Sequence, residues 1–257
     1  MAQTLLGATP SASTISRLNQ SLSQQFEAWR QRPLQEHWRI LYLDGIHFDV
    51  RHGDKADSTL ILTALAVDLE GNKEVLTLRA SAEEGKDGWA CLLQDLRRRG
   101  ATHIDLIVTD GHEELLAAVK ALFSATPRQR CLVHKQRNVL NAIPRRERGD
   151  VQAELVGIWE QPSKGEALAQ LAAFKAKYRK RYPEAVRSLT EEEEKTFTFY
   201  DFPERMHRHI QSTNAIESLF SNVRQRTDQI DVFTTEDSCL TIVWATIQDI
   251  RLHKISL

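Results

Sequence analysis

The sequence predicts an α/β fold: a mixed five-stranded sheet flanked by helices, with an all-helical insertion before the last helix that returns to the sheet. Three observations carry this reading. Strand-like apolar runs and helix-period runs follow one another in the order three strands, helix, strand, helix, strand. The stretch 148–205 then shows only helical and charged patterns. Finally, Ile216, Leu219, Phe220 and Val223 recur at i, i+3, i+4 and i+7 behind the N-cap residues Ser212, Thr213 and Asn214, which makes this stretch one amphipathic helix.

Taken in order, Thr14 to Trp29 is helical through Leu18, Leu22, Phe26 and Trp29, and it stops at Arg32-Pro33. This helix has no companion before it to pack against. Ile40–Arg51 is apolar on both faces and then alternates, as a central strand does on its way to an exposed end. Leu60–Val67 and Lys73–Arg79 are the next strands, joined by the turn Glu70-Gly71-Asn72, so 40–80 forms a meander. Asp87–Arg99 is a helix with Trp89, Leu92, Leu93 and Leu96 toward the core. His103–Thr109 is a strand ending at Asp110-Gly111, and a helix follows through Leu115, Val119, Leu122 and Phe123. Arg128–His134 reads as the fifth strand, with a helix from near His134 to about Ile143, and the last helix runs from Glu236 to about His253.

The 257 residues, 41% hydrophobic and 27% charged, describe an ordinary globular protein. No apolar run is long enough to span a bilayer and the N-terminus has no secretory core, so a membrane is not among the expected partners. Cys91, Cys131 and Cys239 are odd in number and far apart, which indicates reduced thiols. The net charge is −1, but the charges are segregated. Between Arg128 and Arg148 stand seven Lys or Arg residues against the single acid Glu147, enough for one face to bind a polyanion. A second basic cluster, Lys175 to Arg181, is adequately explained as a solvated helix face.

Three carboxylates stand out. Asp44 falls inside an apolar strand, where an unpaired carboxylate is costly. Asp110 ends a strand beside a helix N-terminus, where α/β folds place ligands. Glu217 lies at the edge of the apolar stripe of its helix, on the same side as Asn214, Ser221 and Arg224. If the first strand is central and the fourth beside it, Asp44 and Asp110 are neighbours, and the returning helix brings Glu217 to them. Three clustered carboxylates call for a counter-cation, and the hard ions Mg²⁺ or Mn²⁺ take oxygen ligands. Two such ions about 4 Å apart serve in-line displacement at phosphate. The blander alternatives are a capping box between Asn214 and Glu217, and a plain turn at Asp110.

The order of elements and four blocks of residues resemble the mutator-type family of bacterial insertion-sequence DDE transposases. The blocks are Leu43-Asp44-Gly45 with Val50-Arg51, Val108-Thr109-Asp110-Gly111-His112, Gln129 to Lys135 with Arg137-Asn138, and Ser212 to Glu217 followed by Arg224-Gln225-Arg226. The resemblance implies a ribonuclease-H-like core with Asp44, Asp110 and Glu217 as catalytic metal ligands for two Mg²⁺ or Mn²⁺ ions. It implies DNA strand cleavage and strand transfer on double-stranded DNA, at element ends and target, by a homo-oligomer such as a dimer in the bacterial cytoplasm at the nucleoid. The alternatives are a ribonuclease-H-like nuclease without strand transfer and a catalytically silent DNA-binding repressor. The implied division is a remnant helix-turn-helix and linker at 1–34, the core at 35–147 and 206–257, and the helical insertion at 148–205. The first segment is shorter than in the family, so an N-terminally truncated protein is expected.

Cys131-x-x-His134 matches a signature of that family. His134 is expected near the carboxylates and in contact with DNA phosphate, with Arg130, Lys135, Arg137 and Asn138, and Arg224 and Arg226 on the last catalytic helix, extending the contact. Two other readings of the pair stay open: a zinc set with His207 and His209, and a core cysteine with a helix-capping histidine. Trp159 is either core or a platform for an unstacked base.

Overall fold

The computed structural model describes residues 11–81 and 86–257. Helix α1 (Ala12–Gln31) precedes the meander β1 (His37–His52), β2 (Lys55–Val67) and β3 (Lys73–Ser81). Helix α2 (Lys86–Arg98), strand β4 (His103–Thr109), helix α3 (Glu113–Leu122), strand β5 (Arg128–Arg130) and helix α4 (Leu132–Asn141) follow. The insertion holds α5 (Arg148–Trp159), α6 (Lys164–Tyr178) and α7 (Pro183–Thr190), with short 3₁₀ turns, and leads into α8 (Glu204–Ile210). The chain closes with α9 (Asn214–Thr227) and α10 (Glu236–Gln248).

The five strands form one sheet in the order β3-β2-β1-β4-β5. β1 pairs antiparallel with β2 and parallel with β4, so the sheet is mixed and β1 is central, as the sequence predicts. This is the α/β, ribonuclease-H-like arrangement. Side chains of β1 alternate between two cores. Leu41 and Leu43 meet Trp89, Leu92, Leu93 and Leu96 of α2 and Leu115 and Val119 of α3. Ile40, Tyr42 and Ile46 meet the insertion, α9 and α10 on the other face. Asp44 shares this second face.

Two expectations need correction. The fifth strand stops at Arg130, and Cys131 is the N-cap of α4, which starts at Leu132 rather than near His134. Cys131 and His134 are therefore one helical turn apart, not on a strand. The last helix ends at Gln248, well before His253, and the tail returns to the meander, where the Ile255 N–H donates to the Gly71 carbonyl. Helix α1 packs on the far end of the chain: Phe26 and Trp29 meet Trp244 of α10. Phe26 is buried and Leu22 partly so, while Ile15 and Leu18 remain exposed. Of the segment 1–34, residues 1–10 lie outside the described residues.

The insertion is stitched to the short edge strand β5. Gln129 is fully buried; its amide donates to the Arg130 carbonyl at 2.7 Å, and its Oε1 accepts from the Phe199 N–H at 2.8 Å. Thr198 donates to the Arg128 carbonyl at 2.8 Å. These bonds use up polar edge groups that would otherwise need water.

Candidate active site

The register positions the first two carboxylates. Leu43 of β1 stands opposite Thr109 of β4, so Asp44 and Asp110 are the next residues along each strand, side by side past the last rung. The Asp110 carboxylate accepts the His112 N–H at 3.0 Å, an Asx turn, while His112 itself is the N-cap of α3. Gly111 between them has φ of +85°. A Cβ there would lie 1.5 Å from Nη1 of Arg130, so the backbone conformation favours glycine and any side chain would have to displace the Arg130 guanidinium.

Helix α9 crosses the same face through Ile216, Leu219, Phe220 and Val223, all buried as its stripe predicts. Its N-cap is Thr213, and no side-chain cap bond is made there, so the Asn214–Glu217 capping box does not form. Glu217 instead accepts the Thr213 hydroxyl at 2.7 Å. The sequence treats Thr213 only as a cap; the structure places it at the hub of a buried network. Its Oγ1 stands 3.2 Å from the Cys131 Sγ and 3.4 Å from the His134 Nδ1, and Cys131 and His134 are 3.2 Å apart. A hydroxyl carries one proton, and the short distance to a carboxylate directs it to Glu217. His134 Nδ1 lies 3.8 Å from Glu217.

Electrostatics tie these groups together. Burial raises the Asp44 carboxyl to about 7, and the charges of Asp110 and Glu217 push the same way against the Gly45 N–H and His134. For Cys131, burial pushes the thiol up, but hydrogen bonds from His134 and from the Thr213 backbone N–H oppose it, and the net shift is downward. His134 is raised, first by Cys131 and then by Glu217 and Asp110 against the pull of burial. Among the described residues, Cys131, His134 and Glu217 have ligand atoms within 4.8 Å of one another; Asp44, Asp110 and Glu217 do not close to that distance together.

The other expected residues separate into two groups. Arg137, Asn138 and Arg224 are exposed, and Arg226 reaches the Thr246 carbonyl from an exposed position. Lys135 and Arg130 are not surface residues. Lys135 is 2% exposed, and its ammonium donates to the carbonyls of Ser188 and Glu191, so the phosphate contact expected of it is not available. Helix α7 lies across α4 and covers it. Arg130 is 6% exposed, beneath the Asp110-Gly111 turn, with Nε and Nη1 buried and without a hydrogen-bond partner. Arg128 is likewise buried and ion-paired with Glu192. In the second basic cluster, Lys175, Lys177 and Arg181 pair with Glu193, Glu154 and Glu147.

Trp159 is core, its side chain buried in the larger hydrophobic cluster that includes the insertion. The zinc set does not assemble: the His207 ring packs on Phe199 and Tyr200 and reaches the Phe202 carbonyl. His209 stands elsewhere, in a cavity of about 640 Å³ beside α9. Lys73, Arg208, Arg226, Arg251 and His253 also line that cavity, and no acidic residue does. The His209 imidazole is lowered by burial and then by the positive charges of Arg208 and Lys73. These cations come from four separate segments, so no run of charge announces them.

Residues 1–254 match the family described as Transposase, Mutator family. The chain belongs to that family. A transposase for insertion sequence element ISRM5 of Rhizobium meliloti (strain 1021) is 34% identical over 241 residues, covering 94% of this chain and 61% of the relative. One for IS6120 of Mycolicibacterium smegmatis is 36% identical over 222 residues, covering 86% of this chain and 68% of the relative. One for IST2 of Acidithiobacillus ferrooxidans is 31% identical over 248 residues, covering 96% and 83%. The chain thus spans less than two thirds of the length of the Rhizobium protein. Among the described residues, no helix of the Mutator-family chain is long and apolar enough to cross a membrane.

Proposed function

We propose that this chain cleaves DNA strands and joins them to target DNA, with Asp44, Asp110 and Glu217 holding two Mg²⁺ or Mn²⁺ ions. What supports the reading is the register that sets Asp44 beside Asp110, together with an Asp44 carboxyl raised to about 7 by burial, with the charges of Asp110 and Glu217 pushing the same way. An arrangement that penalises its own ionisation suits a hard divalent cation, and an all-oxygen donor set suits these two ions. Such ions supply activation of the attacking oxygen and charge stabilisation of the leaving one in an in-line displacement.

The chain's own residues orient and bind. Thr213 fixes the rotamer of Glu217 through its 2.7 Å hydrogen bond. Cys131 and Thr213 occupy Nδ1 of His134, which leaves Nε2 as the atom offered to a phosphate oxygen. Arg137, Asn138 and Arg224 contact the duplex from exposed positions, and the cavity lined by Lys73, Arg208, Arg226 and Arg251 tracks its backbone. Arg130 supports the turn that carries Asp110 and is a positioning residue. The core spans 35–147 and 206–257, with 148–205 as the insertion that covers α4. The partner is double-stranded DNA, bound by two copies of the chain, in the bacterial cytoplasm at the nucleoid.

The test is Mg²⁺- or Mn²⁺-dependent nicking of a duplex that carries the element's ends, with a pre-cleaved end to detect joining. Asp44→Asn, Asp110→Asn and Glu217→Gln should each abolish both reactions while the circular dichroism spectrum is kept. Nicking that survives Asp110→Asn refutes the assignment.

A further inference from the structure

At the opposite end of the sheet, four polar residues of β1 and β4 meet. His37 and His103 are register partners on these parallel strands. Asp105 lies two residues past His103, and Arg39 two past His37. The His37 Nε2 stands 2.8 Å from the Asp105 Oδ1, and the His103 Nε2 stands 3.4 Å from the same oxygen. The second oxygen, Oδ2, accepts from Arg39 Nη1 at 2.7 Å. The two imidazole rings are 4.2 Å apart, edge to face. One ligand atom from each of His37, His103 and Asp105 lies within 4.8 Å of the others.

We propose that His37, His103 and Asp105 form a binding site for a borderline divalent cation of the Zn²⁺ class, which clips together the N-terminal ends of β1 and β4. Zinc takes imidazole nitrogen and carboxylate oxygen at roughly 2.0–2.2 Å, so the edges of its tetrahedron are about 3.3–3.5 Å. The His103–Asp105 separation already meets that figure, and the His37–Asp105 pair needs to open by about half an ångström. A metal would replace the hydrogen bond that the His37 ring now makes to Oδ1 and bridge the 3.4 Å gap to His103. Arg39 holds the other carboxylate oxygen, which fixes the orientation of Asp105 and leaves Oδ1 as the ligand atom, as outer partners do in metal sites. The fourth position is open to water or to a donor from a second molecule. Rigid, paired strands hold the ligands in place before the cation arrives, so little ordering is needed on binding.

The site is separate from the carboxylates at the other end. Asp44 lies seven residues along β1 from His37, about 23 Å at 3.3 Å per residue. Its chemistry differs too, because two imidazoles select Zn²⁺, Co²⁺ or Ni²⁺ over Mg²⁺. Nothing in this proposal depends on the reaction assigned to Asp44, Asp110 and Glu217.

The experiment titrates the full chain with Zn²⁺ alone against a chromophoric chelator, in excess Mg²⁺ to occupy oxygen sites. Co²⁺ is then used as an optical probe. The expected result is one Zn²⁺ per chain, bound at least tenfold more weakly in His37→Ala and in His103→Ala and unchanged in Cys131→Ser. The Co²⁺ spectrum should show tetrahedral d–d bands without thiolate charge transfer. His103 is exposed, so His103→Ala and His103→Asn keep the fold, and their unchanged thermal unfolding without metal checks this. Zn²⁺ should raise the melting temperature of the wild type more than that of either His103 variant. Binding unaffected by the two histidine substitutions, binding lost in Cys131→Ser, or no binding below millimolar Zn²⁺ overturns the proposal.

Discussion

Lys135 sits inside the protein, where the sequence placed a DNA contact, and its burial has a consequence measurable without DNA. Burial is the main cause that lowers its ammonium from 10.5 to about 8; Arg130 acts the same way, and Glu191, Glu192 and Glu193 oppose it. In the unfolded chain the ammonium keeps its ordinary value. Between these two values the unfolded state binds more protons than the folded one, so stability rises with pH. The penalty is complete below about 8 and relieved by about 10.5. At 1.36 kcal/mol per pKa unit, the whole effect is about 3 kcal/mol. Other groups titrate in the same range, so the observable is the difference between wild type and Lys135→Met in urea unfolding from pH 7 to 11. The wild type should gain about 3 kcal/mol on the variant across that range. At neutral pH, methionine removes the buried charge but strands the carbonyls of Ser188 and Glu191, and these two effects offset. Parallel pH profiles for the two proteins would refute the reasoning, because the ammonium would then keep its ordinary affinity for protons in the folded state.

Thr213→Val keeps the shape of a fully buried residue but removes the proton given to Glu217; a hydrogen bond to a charged group contributes about 1.5–3 kcal/mol. Nicking should fall roughly 10- to 150-fold and recover in Thr213→Ser, and a loss under twofold would remove Thr213 from the site. Gly111→Ala should cost about 1–3 kcal/mol in urea unfolding, since φ of +85° strains an L side chain and the Arg130 guanidinium would have to move. The basic cavity predicts that Arg208→Ala and Arg251→Ala each flatten the log–log dependence of DNA affinity on salt by about 0.9, while Lys135→Met leaves it unchanged. An unaltered slope in both arginine variants, measured by fluorescence anisotropy, would place the DNA elsewhere.

Local pattern by itself determined the order and type of nearly every element and the central place of the first strand, and it singled out three carboxylates. Periodicity of two or 3.6 is written in neighbouring residues, and a charge inside an apolar strand is visible without coordinates. The end of the fifth strand is not legible in the sequence because Arg128–His134 is short and mixed, and a strand of three residues has no period to read. Depth could not be read from charge. Lys135 and Arg130 stand in the same basic run as the exposed Arg137, yet α7 and the Asp110-Gly111 turn cover the first two. Which residue of a run lies under another element depends on segments distant in the chain: the turn over Arg130 is 19 positions away, and the α7 carbonyls over Lys135 are more than 50. The same holds for the hub at Thr213, whose partners Cys131 and His134 arrive from across the insertion, and for the cavity joining Lys73, Arg208, Arg226 and Arg251. It holds also for His37 and His103, separated by 66 positions and made neighbours by one rung of a parallel ladder. Sequence fixes what each side chain can do; packing fixes which side chains meet, because long-range contact is decided by how the apolar faces cover one another.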